Sequence, residues 1–137
     1  MEEVKQVIVM RKDLHCRAGK TAAQVAHASM KALLDKMFKY RDVAIENRHS
    51  YILDIVDDSP LDKWLSGLFT KIVVYVNSEE ELLDLYNKVK EDTWMLHALI
   101  QDAGKTEFNG KPTYTCLAIG PDWAEKIDEI TGNLPLL

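Results

Sequence analysis

Val4-Lys5-Gln6-Val7-Ile8-Val9-Met10-Arg11, with the stretch from Lys20 to about Lys39 behind it, decides the fold. The first run is β-branched and apolar and ends in a change of character, which predicts a strand. Lys12 to Gly19 is polar and reads as a loop. From Lys20 onward the pattern turns helical. Ala22, Val25, Ala26, Ser29, Leu33 and Met37 recur at three- and four-residue steps and form the expected buried stripe. Lys20, Gln24, His27 and Lys31 repeat at four, three and four, which puts them together on the opposite, polar face.

Working outward, Tyr51 to Val56 fits a short strand or a helical turn. Ser59-Pro60 reads as an N-cap followed by proline at the first helical position, and Gly67 closes that short helix. Thr70 to Val76 is a second strand. Ser78-Glu79-Glu80-Glu81 is a capping box opening a helix with Leu82, Leu85, Tyr86 and Val89 on its apolar face. Trp94 to Gln101 and Thr113 to Ile119 are the third and fourth strands. Gly120-Pro121 is expected to start a last helix ending near Gly132. Strands alternating with helices predict an α/β fold: one compact domain over 1–137, a mixed four-stranded sheet and helices on both faces.

The composition agrees. At 137 residues and 47% hydrophobic, the chain has the size and make-up of one globular domain. No uncharged apolar stretch approaches the roughly 18 residues of a membrane span. Met1-Glu2-Glu3 is acidic where a secretory signal would be basic, so the expected compartment is the cytoplasm. Cys16 and Cys116 have no paired metal-ligand spacing and are expected as two reduced thiols. The formal charge is −5, unevenly spread: Met1 to Arg41 holds nine basic and four acidic residues, the remainder eight and eighteen. An acidic total argues against a protein that coats nucleic acid all over, while the basic front end permits a local polyanion patch.

Two segments place polar groups where the carboxyl ends of strands should lie: Ala18-Gly19-Lys20-Thr21 after the first strand and Asp102-Ala103-Gly104-Lys105-Thr106 after the third. If those strands run parallel, both segments share the rim at which open α/β sheets bind ligands. A phosphate-binding P-loop fails, because Leu14 stands where its first glycine is needed. No serine has a nucleophile-elbow context, and His15-Cys16 adjacency does not make a catalytic couple. A lysine, a carboxylate and hydroxyls (Lys20, Asp102, Thr106 and Thr115) can converge on the rim instead. Such a set can hydrolyse an ester: the carboxylate activates or orients water, and the ammonium and hydroxyls stabilise the developing oxyanion.

With their neighbours these residues resemble the archaeal/eukaryotic-type peptidyl-tRNA hydrolase family. The resemblance runs through Lys5 to Leu14, Gly19-Lys20-Thr21-Ala22-Ala23-Gln24-Val25-Ala26-His27-Ala28, Thr70 to Val74, Gln101 to Thr106, Ile119-Gly120-Pro121 and Ile130 to Leu134. It implies hydrolysis of the ester joining a peptide to the 3′ ribose of tRNA, in a compact homodimer with no metal or organic cofactor. The family's acting residues fall on Lys20, Asp102, Thr106 and Thr115. Gln24 and His27 would position substrate or water. Arg11 and Asp13 would line the approach, and Arg17, Lys31 and Lys105 would add to the grip on a polyanion. Lys105 stands where the family usually has arginine, keeping the charge without the planar fork. The stretch from about 39 to 69 is longer than usual and rather acidic, which leaves a non-catalytic tRNA- or protein-binding module on the same fold as the alternative.

Overall fold

The computed structural model describes residues 2–104 and 108–137. In chain order the elements are β1 (Val4–Arg11), α1 (Ala18–Leu34), β2 (Phe38–Tyr40), β3 (Ser50–Ile52), α2 (Pro60–Ser66), β4 (Lys71–Val76), α3 (Glu79–Lys90), β5 (His97–Asp102), β6 (Thr113–Trp123) and α4 (Ala124–Thr131). The main sheet has the order β4-β1-β6-β5, and β2 with β3 forms a separate hairpin. β1 pairs with β4 in parallel and with β6 antiparallel, and β6 pairs antiparallel with β5. The sheet is therefore mixed, as expected, and β1 and β5 point the same way. Their carboxyl ends, Arg11 and Asp102, lie on one rim.

β1 is the centre of the core because both its faces are covered. Val7 and Val9 join Leu82, Leu85 and Val89 of α3 and Ile127 of α4 on one face. Ile8 and Met10 join Ala28 and Ala32 of α1 on the other, with Ala98, Cys116 and Ala118 of the neighbouring strands. Alternation along a strand produces this division. Small residues on α1 let it lie close against the sheet. A buried amide ties it there: Gln6 Nε2 donates to the carbonyls of Ser29 (3.2 Å) and Gly120 (3.1 Å), and Ser29 Oγ donates to Gln6 Oε1 at 2.5 Å.

Both predicted caps form. Ser59 Oγ accepts from Asp62 N, and Ser78 Oγ accepts from Glu81 N. The Glu81 carboxylate reaches Asn77 N, one residue beyond the usual reciprocal partner. β5 opens at His97 rather than Trp94 and α1 at Ala18 rather than Lys20, and three boundaries differ in kind from the sequence reading. α1 ends at Leu34 rather than near Lys39, because Phe38–Tyr40 leaves as a strand. Tyr51 to Val56 contributes only the end of β3, Ser50–Ile52. Gly120-Pro121 does not open the last helix; β6 continues through both to Trp123, and α4 begins at Ala124. The proline is tolerated because the β1–β6 register shifts between Lys5 and Val7, opposite this pair. A bulge relieves proline of the ladder bond it cannot donate.

Candidate active site

The first turn of α1 and the end of β5 meet at the rim. Lys20 Nζ donates to Asp102 Oδ1 at 2.8 Å, and both side chains are largely covered. Gln24, one turn further along α1, donates from Nε2 to the same oxygen at 3.3 Å. The other carboxylate oxygen accepts from Gly104 N at 2.8 Å. That amide turns back because Gly104 has φ +77°, and a Cβ there would collide with the backbone of Lys111. The Lys20 hydrogen bond, with the Gly104 N–H, holds the Asp102 carboxyl below its ordinary range against the opposing effect of burial. Asp102 is thus an ionised group gripped by three donors.

Behind this layer stands Thr115. Its hydroxyl donates to Gln24 Oε1 at 2.5 Å, and it is 0% exposed. Cys116 Sγ donates to the carbonyl of Gln24 at 3.3 Å. Burial pushes the Cys116 thiol up to about 12. The continuous chain is Thr115–Gln24–Asp102–Lys20. Each amide end of Gln24 has one job: the oxygen accepts the threonine's hydrogen bond, and the nitrogen donates to the carboxylate.

This arrangement differs from the expected polar face of α1. Gln24 is 2% exposed and lies in the buried row with Ala28 and Ala32. Ala22 and Ala26, expected in the buried stripe, are exposed. The reason is the neighbour: Thr115 and Asp102 satisfy both ends of the amide, so a polar side chain is stable inside. Thr115, expected at the rim, sits beneath it.

The remaining candidates divide. Arg11 and Asp13 form a two-pronged pair, Nη2–Oδ2 at 2.7 Å and Nε–Oδ1 at 3.2 Å, and Arg11 also donates to the Tyr114 carbonyl. They brace the end of β1 against β6. Arg17 occupies the N-cap position of α1 and is exposed. His27 and Lys31 are exposed further along α1, where Lys31 pairs with Asp35 at 2.9 Å. Lys105 and Thr106 lie outside the described residues. Sequence reading missed two contributors. Gly104 had a signal, a glycine two residues after the aspartate. Phe108, whose ring centre is 5.8 Å from Lys20 Nζ, had none. Among the described residues no three of His, Cys, Asp and Glu converge as metal ligands, and no helix is long and apolar enough to cross a membrane.

Comparison with known proteins identifies the family. The profile of the family described as peptidyl-tRNA hydrolase PTH2 matches residues 4–137. The peptidyl-tRNA hydrolase of Methanocaldococcus jannaschii is 40% identical over 134 residues, covering 98% of this chain and 100% of that one. The peptidyl-tRNA hydrolase of Nanoarchaeum equitans is 44% identical over 133 residues, covering 97% and 98%. A solved structure of a protein of unknown function from Agrobacterium tumefaciens superposes with a TM-score of 0.51 at 14% identity, covering 100% of this chain and 99% of that one, a likeness of fold alone. On the profile and the near-full-length identities together, this chain belongs to the peptidyl-tRNA hydrolase PTH2 family.

Proposed function

We propose that this chain hydrolyses the ester between a peptide and the 3′ ribose of tRNA. The observation that carries the reading is the rim array in which Lys20, Gln24 and Gly104 converge on the Asp102 carboxylate. Water held by Asp102 attacks the ester carbonyl. The Lys20 ammonium, already aimed into the rim, stabilises the oxyanion of the tetrahedral intermediate. A carboxylate with lowered pKa is a weak base, so Asp102 serves mainly to orient the water and Lys20. One proton of the water ends on the departing 3′ oxygen, giving free tRNA, and the peptide's new carboxylic acid releases the other to solvent as it ionises. Thr115 acts through Gln24 as a positioning residue, since its hydroxyl is sealed from substrate. By the family resemblance alone, Thr106 is taken as a further acting hydroxyl and Lys105 as a cation for the polyanion. Arg17, His27 and Lys31 face the polyanion.

The reading uses side chains and water alone, with the enzyme in the cytoplasm, where charged tRNA is used. It also takes the chain as a homodimer.

The experiment is peptide release from a purified N-acetyl-aminoacyl-tRNA, with and without EDTA. Release unaffected by EDTA is the expected result. No release with tRNA still bound would replace the esterase by the binding-module reading.

A further inference from the structure

We propose that the β2–β3 hairpin is a second contact for the tRNA body, separate from the catalytic rim and built into the stretch between 39 and 69. The proposal rests on the reading that the substrate is a tRNA ester.

The hairpin belongs to neither face of the main sheet; its strands pair only with each other among the described sheet elements. A two-stranded ribbon alone is marginal in water, so a partner surface would stabilise it. Its composition says which partner. Phe38-Lys39-Tyr40-Arg41 and Arg48-His49-Ser50-Tyr51-Ile52 carry three cations interleaved with aromatic rings, while the hairpin's two carboxylates, Asp42 and Glu46, lie in the turn between them. Pairing sets Lys39 opposite Tyr51, so both project from one face. The His49 ring meets Tyr51 edge-on at 5.5 Å, and Tyr51 is 63% exposed. Arg41 Nη1 donates to the Arg48 carbonyl across the turn, which keeps the two arginine-bearing ends together. The turn's Asp42 is folded back onto Ala44 N rather than toward the strands.

Cations beside exposed rings are the chemistry that holds nucleic acid without reading sequence: charge on phosphates, ring faces on bases and riboses. The position fits one long ligand. Lys20 is in the first turn of α1, and the hairpin leaves just past its last. The fourteen helical steps from Lys20 to Leu34 span about 21 Å. The exposed His27 and Lys31 lie along the way. A tRNA with its 3′ end at Asp102 can lay its body along α1 and reach Lys39 and Tyr51.

The test compares wild type with Lys39→Ala, Tyr51→Ala and the conservative Lys39→Arg. One readout is the affinity for uncharged tRNA across a salt series. The other is hydrolysis of intact N-acetyl-aminoacyl-tRNA against the short ester N-acetyl-aminoacyl-CCA. Each alanine variant is expected to weaken tRNA binding and raise KM for the intact substrate about tenfold, with kcat unchanged. Lys39→Ala should also lower the salt slope by about one unit, and Lys39→Arg should restore it. Kinetics on the short ester should not move. Unchanged tRNA affinity and salt slope in both alanine variants would overturn the proposal. So would variants that dissociate a dimer while binding tRNA as before. If wild type cleaves neither ester but the alanine variants still lose tRNA, the hydrolase reading falls and the hairpin assignment is supported.

Discussion

Lys20 Nζ and Asp102 Oδ1 lie 2.8 Å apart although 82 residues separate them in sequence. The contact joins the first turn of α1 to the last residue of β5, and the sheet order β1-β6-β5 makes it possible by running β1 and β5 in the same direction. Removing the ammonium removes the donor aimed at the oxyanion. Lys20→Ala should lower kcat by about a hundredfold or more. Lys31→Ala, on an exposed pair with Asp35, should change kcat little. Steady-state hydrolysis of N-acetyl-aminoacyl-tRNA by the two variants checks this; equal kinetics would remove Lys20 from the centre. Asp102→Asn should lose turnover while retaining tRNA binding.

The Thr115–Gln24 bond predicts an effect at a distance. Thr115→Val keeps the shape but strands a buried amide oxygen. Stability should fall by about 1–3 kcal/mol, read by urea unfolding. Gln24 would then be free to turn its nitrogen away from Asp102, so kcat should fall with KM unchanged. Thr115→Ser should rescue both. A stability loss with kcat intact would mean that the pair is structural only.

The electrostatics of Asp102 can be read directly. Lys20 lowers its pKa, so in Lys20→Met the carboxyl should titrate at a higher pH, moving toward the ordinary value of about 3.9. Carbon-13 NMR of the side-chain carboxyl follows this. The sign for stability follows too. A depressed carboxyl stabilises the fold above its unfolded pKa and loses that contribution as pH falls through the folded value. Lys20→Met should therefore weaken this contribution at neutral pH and not at acid pH below both values.

Gly104 offers a test confined to backbone. Its left-handed conformation aims the N–H at Asp102, and a Cβ would strike Lys111. Gly104→Ala should lower kcat by freeing one carboxylate oxygen and loosening the turn, with the α1 face of the core left intact. Near-wild-type turnover would show that the amide is not needed to hold the carboxylate.

The two thiols should behave differently. Cys116 is 0% exposed and its thiol is pushed up to about 12, whereas Cys16 is partly exposed. Ellman's reagent at pH 8 should titrate one thiol in the folded protein and two in denaturant. Cys16→Ser should abolish the native reaction.

Much of this was legible in the sequence because it is local. The β-branched run of β1, the Ser59 and Ser78 caps and the two rim segments each carry their signal within a few residues. What escaped depends on distant partners. Gln24 reads as a surface amide until Thr115, 91 residues on, comes beneath it. Pro121 reads as a helix start because the register shift that accommodates it lies in β1. The end of α1 was missed because Met37 continues the spacing and no glycine stops it. β2 and β3 are three residues each, too short for alternation to speak, and the turn between them has no Asn-Gly signal.

The two buried glutamines give α1 a further property. Gln6 grips it at Ser29 and Thr115 grips it at Gln24, from two strands and more than one helical turn apart. A single anchor would let the helix roll about its long axis; two at different heights lock its azimuth. Any rotation that swung Lys20 away from Asp102 would have to break a bond inside the protein, where no water replaces it. The placing of Lys20 against Asp102 is therefore set when the chain folds, before substrate arrives.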